Sequence, residues 1–263
     1  MRPLAHLALG LLVLLAGCQV PGSTGVSISH VHGLAYDPAQ GALYVATHHG
    51  LAKGVPEGAS WVWYYVGTER YDYMGFTQDF VQQGTFYSSG HPDDPRAFGG
   101  VHLGLRRSQD GGATWEQRSL KGQADFHALT SLPGAIGRLA AFFQGNIKVS
   151  YDAGSTWQDH PTQESIYALT ASDEDLWAGT ATGLKRTTDY SKWSDASGGR
   201  FTGIVSSVST SRDGQLVFAG TGDGRTGTTY RSLDRGATWE QLELAALRDA
   251  PAPVIFAIDP TTS

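Results

Sequence analysis

Apolar and polar positions alternate along this chain in short bursts, each closed by a cluster of Gly, Asp, Ser or Pro, and the period of two predicts strands. Long runs with helical periodicity are scarce. The order of the bursts repeats: an apolar strand, a turn, a second strand ending in a small or polar loop, a third strand, then a Trp-containing turn. The second strands read ALYVATHHG from Ala42, GTFYSSGH from Gly84, RLAAFFQG from Arg138, DLWAGTATG from Asp175 and QLVFAGTGDG from Gln215. Four strands in a unit of about 40 residues is the signature of a β-propeller blade.

The turns that close the units repeat more closely still. SQDGGATW (Ser108–Trp115), SYDAGSTW (Ser150–Trp157) and SLDRGATW (Ser232–Trp239) share one pattern, and TTDYSKW (Thr187–Trp193) and VPEGASW (Val55–Trp61) are degenerate copies. An Asp carboxylate accepts hydrogen bonds from its own tight turn, Gly supplies a positive φ, and Trp wedges between sheets. Asp110, Asp152 and Asp234, with Trp115, Trp157 and Trp239, are therefore expected to build turns rather than perform chemistry. The pattern resembles the Asp-box, or BNR repeat, of sialidases, sortilin-type receptors and photosystem assembly-factor propellers. That resemblance implies an all-β Asp-box propeller.

Aligning the innermost strands gives HVHGLA from His30, DYMGFT from Asp72, DFHALT from Asp125, SIYALT from Ser165, RFTGIV from Arg200 and APVIFA from Ala252. Five complete four-stranded blades fit, plus an incomplete sixth, across residues 29–263. Residues 18–28 read as a tether. Residues 1–17 read as a secretory signal: one early Arg, then an apolar run too short to span a bilayer. Leu15-Ala16-Gly17-Cys18 resembles the lipobox of bacterial lipoproteins, and Cys18 is the only cysteine in the chain. This implies a lipid at Cys18 that anchors the protein to a membrane of the bacterial envelope on its extracytoplasmic side, the outer membrane where there is one.

Charge removes one class of partner. With 19 basic and 25 acidic residues the chain carries a net −6, which argues against nucleic acid.

Candidate chemistry gathers on one rim. Loops entering the innermost strand and leaving the second strand share a rim of a propeller, with the Trp turns on the opposite one. That rim receives His30, His32, His48, His49, Tyr73, Met74, His91, His127, Tyr167 and Arg200. His, Asp and Met bind transition metals, so a zinc or copper ion held by His30, His32, His48 and His127, with Asp72 and Asp125 as ligands or supports, is one expectation. The alternative is glycoside hydrolysis by the two carboxylates Asp72 and Asp125, with Tyr71, Tyr73, Trp63 and Phe126 as stacking surfaces.

Nearly the whole run from HVHGLAYDP through DFHAL resembles bacterial lipoproteins described as glycosylhydrolase-like BNR proteins. The Phe/Tyr-Arg-Ile-Pro motif and arginine triad of sialidases are missing, Arg70 and Arg200 being the rim arginines. The expected function is a ligand-binding or assembly module acting on a glycan, a protein or a metal through the His/Asp rim.

Overall fold

Alternation in the first strand of each unit and unbroken apolar character in the second have one cause: the inner strand turns a face to a channel, whereas the second is covered on both sides. Ala42–Thr47 is buried at every position and Val31–Asp37 only at alternate ones. A computed structural model describes residues 25, 26, 28, 30–222, 227–243 and 255–258; Cys18, Ala252 and Val254 lie outside them.

Among the described residues, twenty strands form five four-stranded antiparallel sheets, each taken in chain order. Blade one is β1 (Val31–Asp37), β2 (Ala42–Thr47), β3 (Gly50–Glu57) and β4 (Ser60–Tyr65). Blade two is β5 (Asp72–Gln78), β6 (Phe86–His91), β7 (Leu105–Ser108) and β8 (Glu116–Ser119), with the short helix α1 (Pro95–Phe98) between β6 and β7. Blade three is β9 (Ala128–Ser131), β10 (Leu139–Phe143), β11 (Asn146–Ser150) and β12 (Gln158–Pro161). Blade four is β13 (Ile166–Ala171), β14 (Leu176–Thr180), β15 (Gly183–Thr187) and β16 (Ser194–Asp195). Blade five is β17 (Val205–Thr210), β18 (Val217–Gly222), β19 (Gly227–Ser232) and β20 (Glu240–Gln241).

A separate core fills each join between successive blades. Tyr44, Leu51, Tyr73 and Phe86 join blades one and two; Tyr87, Leu105, Phe126 and Leu139 join two and three. Ile147, Ile166 and Leu169 join three and four, and Trp177, Phe201, Val205 and Val217 join four and five. Each fully buried side chain of this size stabilises the ring by about 1.5–3 kcal/mol. Backbones approach closely enough at one join to exclude any side chain: a Cβ on Gly75 of β5 would stand 1.9 Å from the Phe126 carbonyl oxygen.

Between blades five and one lies the segment 255–258, which forms no strand. Phe256 stacks on Phe218 of β18 at 4.8 Å, and its carbonyl accepts the Ser209 hydroxyl at 2.8 Å. Ala257 packs on the far face of blade one beside Val26, Ile28 and Trp63.

Blade five also begins later than the alignment on Arg200 predicts. The Asp195 carboxylate accepts from the backbone N–H groups of Ser197 and Gly199, and Gly198 and Gly199 both take positive φ. This turn delays the inner strand to Val205 and leaves Arg200 and Thr202 exposed before it. Arg200 instead lays its guanidinium over the Tyr230 ring.

Candidate functional site

A channel of about 620 Å³ runs along the inner strands. In blades one, two, four and five the inner strand slips register against its neighbour at His32, Met74, Tyr167 and Ser206. A bulge re-aims the extra side chain, and all four line the channel, joined by His127 just before β9. Tyr73, between Asp72 and Met74, takes the opposite face of the pleat. It is buried against Trp115 and donates its hydroxyl to Glu69, so it does not reach the rim. Trp63 and Phe126 are buried as well and offer no stacking surface.

Local devices place the remaining groups. His48 occupies the β2–β3 turn, where the buried Thr47 hydroxyl accepts from the His49 N–H and donates to the Gly50 carbonyl, both at 3.0 Å. Blade four builds the same turn on Thr180, with Ala181 in the place of His48. The turn is thus a property of the fold, and the histidine is an addition to it. His49, next in the turn, is exposed and joins neither cluster described below. Asp72 opens β5 opposite His91, which closes β6.

These groups form an arc across blades one to three. His48 Nδ1 lies 2.8 Å from Asp72 Oδ2, and His91 Nδ1 lies 3.5 Å from the same oxygen. His91 Nε2 lies 3.0 Å from Asp125 Oδ2, which also faces His127 Nε2 at 2.7 Å. The rings of His30 and His32 meet the His48 ring edge-on at 4.8 and 4.6 Å, and His30 adopts a left-handed backbone with φ 50°.

Within the arc, four buried atoms have no hydrogen-bond partner among the described residues: His32 Nε2, Asp72 Oδ1, His102 Nδ1 and Asp125 Oδ1. Buried polar atoms are normally satisfied, and leaving one unpaired costs about 1–3 kcal/mol. The residues that carry these atoms fall into two groups, His32, His48 and Asp72, and His91, His102 and Asp125, and in each group every residue offers a possible ligand atom within 4.8 Å of the others.

The expected quartet of His30, His32, His48 and His127 therefore divides. His32 and His48 join Asp72, His30 packs on the His48 ring, and His127 serves Asp125. His102 escaped the sequence alignment because it sits on no strand. Its signal in the sequence is a second histidine after His91, in the segment that joins β6 to β7.

Burial lowers the His32 imidazole to about 4, with Asp72 opposing and His48, His127 and His30 reinforcing. Burial alone would raise the Asp125 carboxyl; the His127 hydrogen bond and the nearby imidazoles outweigh it and hold Asp125 below its ordinary value. That same hydrogen bond raises His127, against the opposing effect of burial.

On the opposite rim the carboxylates are consumed by their own turns. Asp110 accepts from the Thr114 N–H at 2.9 Å and the Thr114 hydroxyl at 2.6 Å. Asp152 with Thr156 and Asp234 with Thr238 repeat the arrangement, and Ser108, Ser150 and Ser232 donate to the three carboxylates. The Trp115 and Trp239 indoles donate to the carbonyls of Gly112 and Gly236, whereas Trp157 reaches the Ser119 hydroxyl.

No family model matches the chain, and no curated protein matches it. Among solved structures, an ancestral GH74 enzyme is similar with a TM-score of 0.55 and 17% identity, over 83% of this chain and 32% of that one. A GH74 xyloglucanase from Xanthomonas campestris gives a TM-score of 0.51 and 19% identity, over 82% and 38%. The Cps50 (Swd1) β-propeller domain of Myceliophteria thermophila gives 0.53 and 13%, over 78% and 66%. This chain spans about a third of the length of the two GH74 proteins. The likeness is one of fold, and the chain is a five-bladed, all-β propeller.

Proposed function

We propose that the chain is a metal-binding propeller module whose channel mouth holds a zinc or copper ion on His32, His48 and Asp72. The observation that carries this reading is the pair His32 Nε2 and Asp72 Oδ1, buried, without hydrogen-bond partners and 3.6 Å apart. That separation is too long for a hydrogen bond. Two ligands of one tetrahedral ion, each bound at about 2.0–2.1 Å, stand roughly 3.4 Å from each other. Imidazole with carboxylate suits zinc or copper, and three protein ligands leave a position open for an exchangeable ligand.

On this reading the Ser-x-Asp-x-Gly-x-Thr-Trp turns are Asp-boxes that serve the scaffold. Cys18 carries the lipid that tethers the propeller, through residues 18–28, to the extracytoplasmic face of a bacterial envelope. The glycoside-hydrolase reading is the weaker one. A general-acid carboxyl needs a raised pKa, whereas Asp125 is held low and both carboxylates are already engaged by imidazoles.

Full-length protein in detergent, made without a histidine tag, stripped with chelator and dialysed against zinc or copper, tests the proposal by metal mass spectrometry. At least one ion per chain is expected, bound more than about 10-fold more weakly in His32→Ala or Asp72→Asn. Retention of no ion contradicts the reading. Turnover of aryl glycosides by the metal-free protein, abolished by Asp72→Asn, would assign the rim to hydrolysis instead.

A further inference from the structure

The arc contains more ligand atoms than one ion uses. We infer that the channel mouth carries a second metal site, on His91, His102 and Asp125, beside the first. This inference rests on the metal-binding reading of the first cluster but concerns different residues, and it makes the rim a two-ion centre.

Three observations converge on the second site. Its residues each offer a ligand atom within 4.8 Å of the others, as those of the first do. It repeats the same defect: one imidazole nitrogen, His102 Nδ1, and one carboxylate oxygen, Asp125 Oδ1, are buried with no hydrogen-bond partner. Finally, His102 is built in. Its carbonyl accepts from the Gly122 N–H at 2.9 Å, the adjacent Leu103 N–H donates to the Gly90 carbonyl at 2.8 Å, and the Gly104 N–H donates to the Ala124 carbonyl at 3.0 Å. These bonds fasten the 102–104 segment between the end of β6 and the approach to β9, and Leu103 anchors it with a fully buried side chain. A ligand fixed by backbone on both sides loses little conformational freedom on binding an ion.

Supporting groups follow the same plan. The second oxygen of Asp125 is held by His127, which orients the carboxylate as partners of metal-bound carboxylates do. His91 links the clusters, turning Nε2 to Asp125 and Nδ1 to Asp72. Ions held on Asp72 and Asp125, the two carboxylates that His91 faces, would be neighbours across one imidazole ring, so copper(II) at both sites would show a dipolar interaction.

Full-length, tag-free, chelator-stripped protein titrated with zinc by calorimetry and with copper(II) by electron paramagnetic resonance tests this directly. Two ions per chain are expected, with a dipolar-broadened copper spectrum at full loading. His102→Ala, and His102→Gln as a variant that keeps the volume, should each bind one ion, with affinity at the remaining site within about 3-fold of wild type and a sharpened spectrum. His48→Ala should also fall to one ion. Wild-type protein that binds one ion, with the His102 variants unchanged, overturns the second site and leaves the first standing. Wild-type protein that binds none overturns both. Normal thermal unfolding of either His102 variant shows that its lost ion is not a folding defect.

Discussion

Arg106 of β7 grips the carboxylate of Glu69 through both terminal guanidinium nitrogens, three residues ahead of Asp72. Arg106 also donates to the Trp115 carbonyl at 2.8 Å, and the Tyr73 hydroxyl donates to Glu69 at 3.1 Å. The strand that carries Asp72 is thereby pinned on both sides of that residue. Arg106→Met leaves Glu69 without its ion-pair partner; removing one member of a fully buried pair costs about 3–5 kcal/mol, and the part-exposed Glu69 side chain brings the loss here below that range. Chemical denaturation should report that loss, and calorimetry should show metal affinity at the His32–His48–Asp72 cluster falling about 10-fold. Unchanged affinity in a destabilised variant would mean that Asp72 is positioned by other means.

Blades two and three touch backbone to side-chain-free backbone at Gly75. Gly75→Ala puts a methyl group where the Phe126 carbonyl oxygen stands, so the blades must part and the adjoining core of Tyr87, Leu105 and Leu129 must open. A loss of at least about 3 kcal/mol is expected by denaturant titration, at the upper end for overpacking. A loss below about 1 kcal/mol would show that the join yields easily.

Ring closure through the segment 255–258 makes its own prediction. Phe256→Ala removes the buried ring stacked on Phe218. It should cost about 3 kcal/mol. Hydrogen exchange should rise first in β17 and β18. Equal loss of protection in all five blades would argue that the ring opens elsewhere.

Acid should weaken the Trp turns in a defined pH range. The Thr156 hydroxyl and N–H, against a small opposing effect of burial, hold Asp152 down to about 2. The folded chain therefore binds fewer protons at this residue than the unfolded chain. Its contribution is complete above the unfolded value of about 3.9 and is lost as pH falls toward 2. Asp110 and Asp234 shift in the same direction. Denaturation midpoints between pH 5 and pH 2 should decline for wild type and decline less for Asp152→Asn. Parallel curves would remove Asp152 from the acid response.

Much of this architecture is legible in the chain because strand period and turn chemistry are local. The Trp turns fix where third strands end, and the apolar second strands fall within two residues of their predicted starts at all five blades. Blade five is where the reading slips: Arg200-Phe201-Thr202 has strand composition, yet the Asp195 turn holds it off the inner position, and only long-range packing of Phe201 on Tyr230 and Trp239 reveals this. The site is legible in its membership more than in its grouping. His32, His48, His91, Asp72 and Asp125 follow from the alignment, which puts each at the entry to an inner strand or the exit of a second one, although β9 begins only at Ala128 and leaves Asp125 in the loop before it. Their division into two clusters follows from side-chain directions that spacing does not encode. His102 depends on backbone bonds to Gly90, Gly122 and Ala124 across blades two and three.

X-ray absorption at the metal edge of zinc-loaded full-length protein tests the central claim most directly. Metal-binding at the channel mouth predicts nitrogen and oxygen ligands at about 2.0–2.1 Å, the multiple-scattering signature of imidazole, and loss of that signature in His32→Ala combined with His102→Ala. A shell of water oxygens without imidazole scattering, or zinc that washes out on gel filtration, would contradict it.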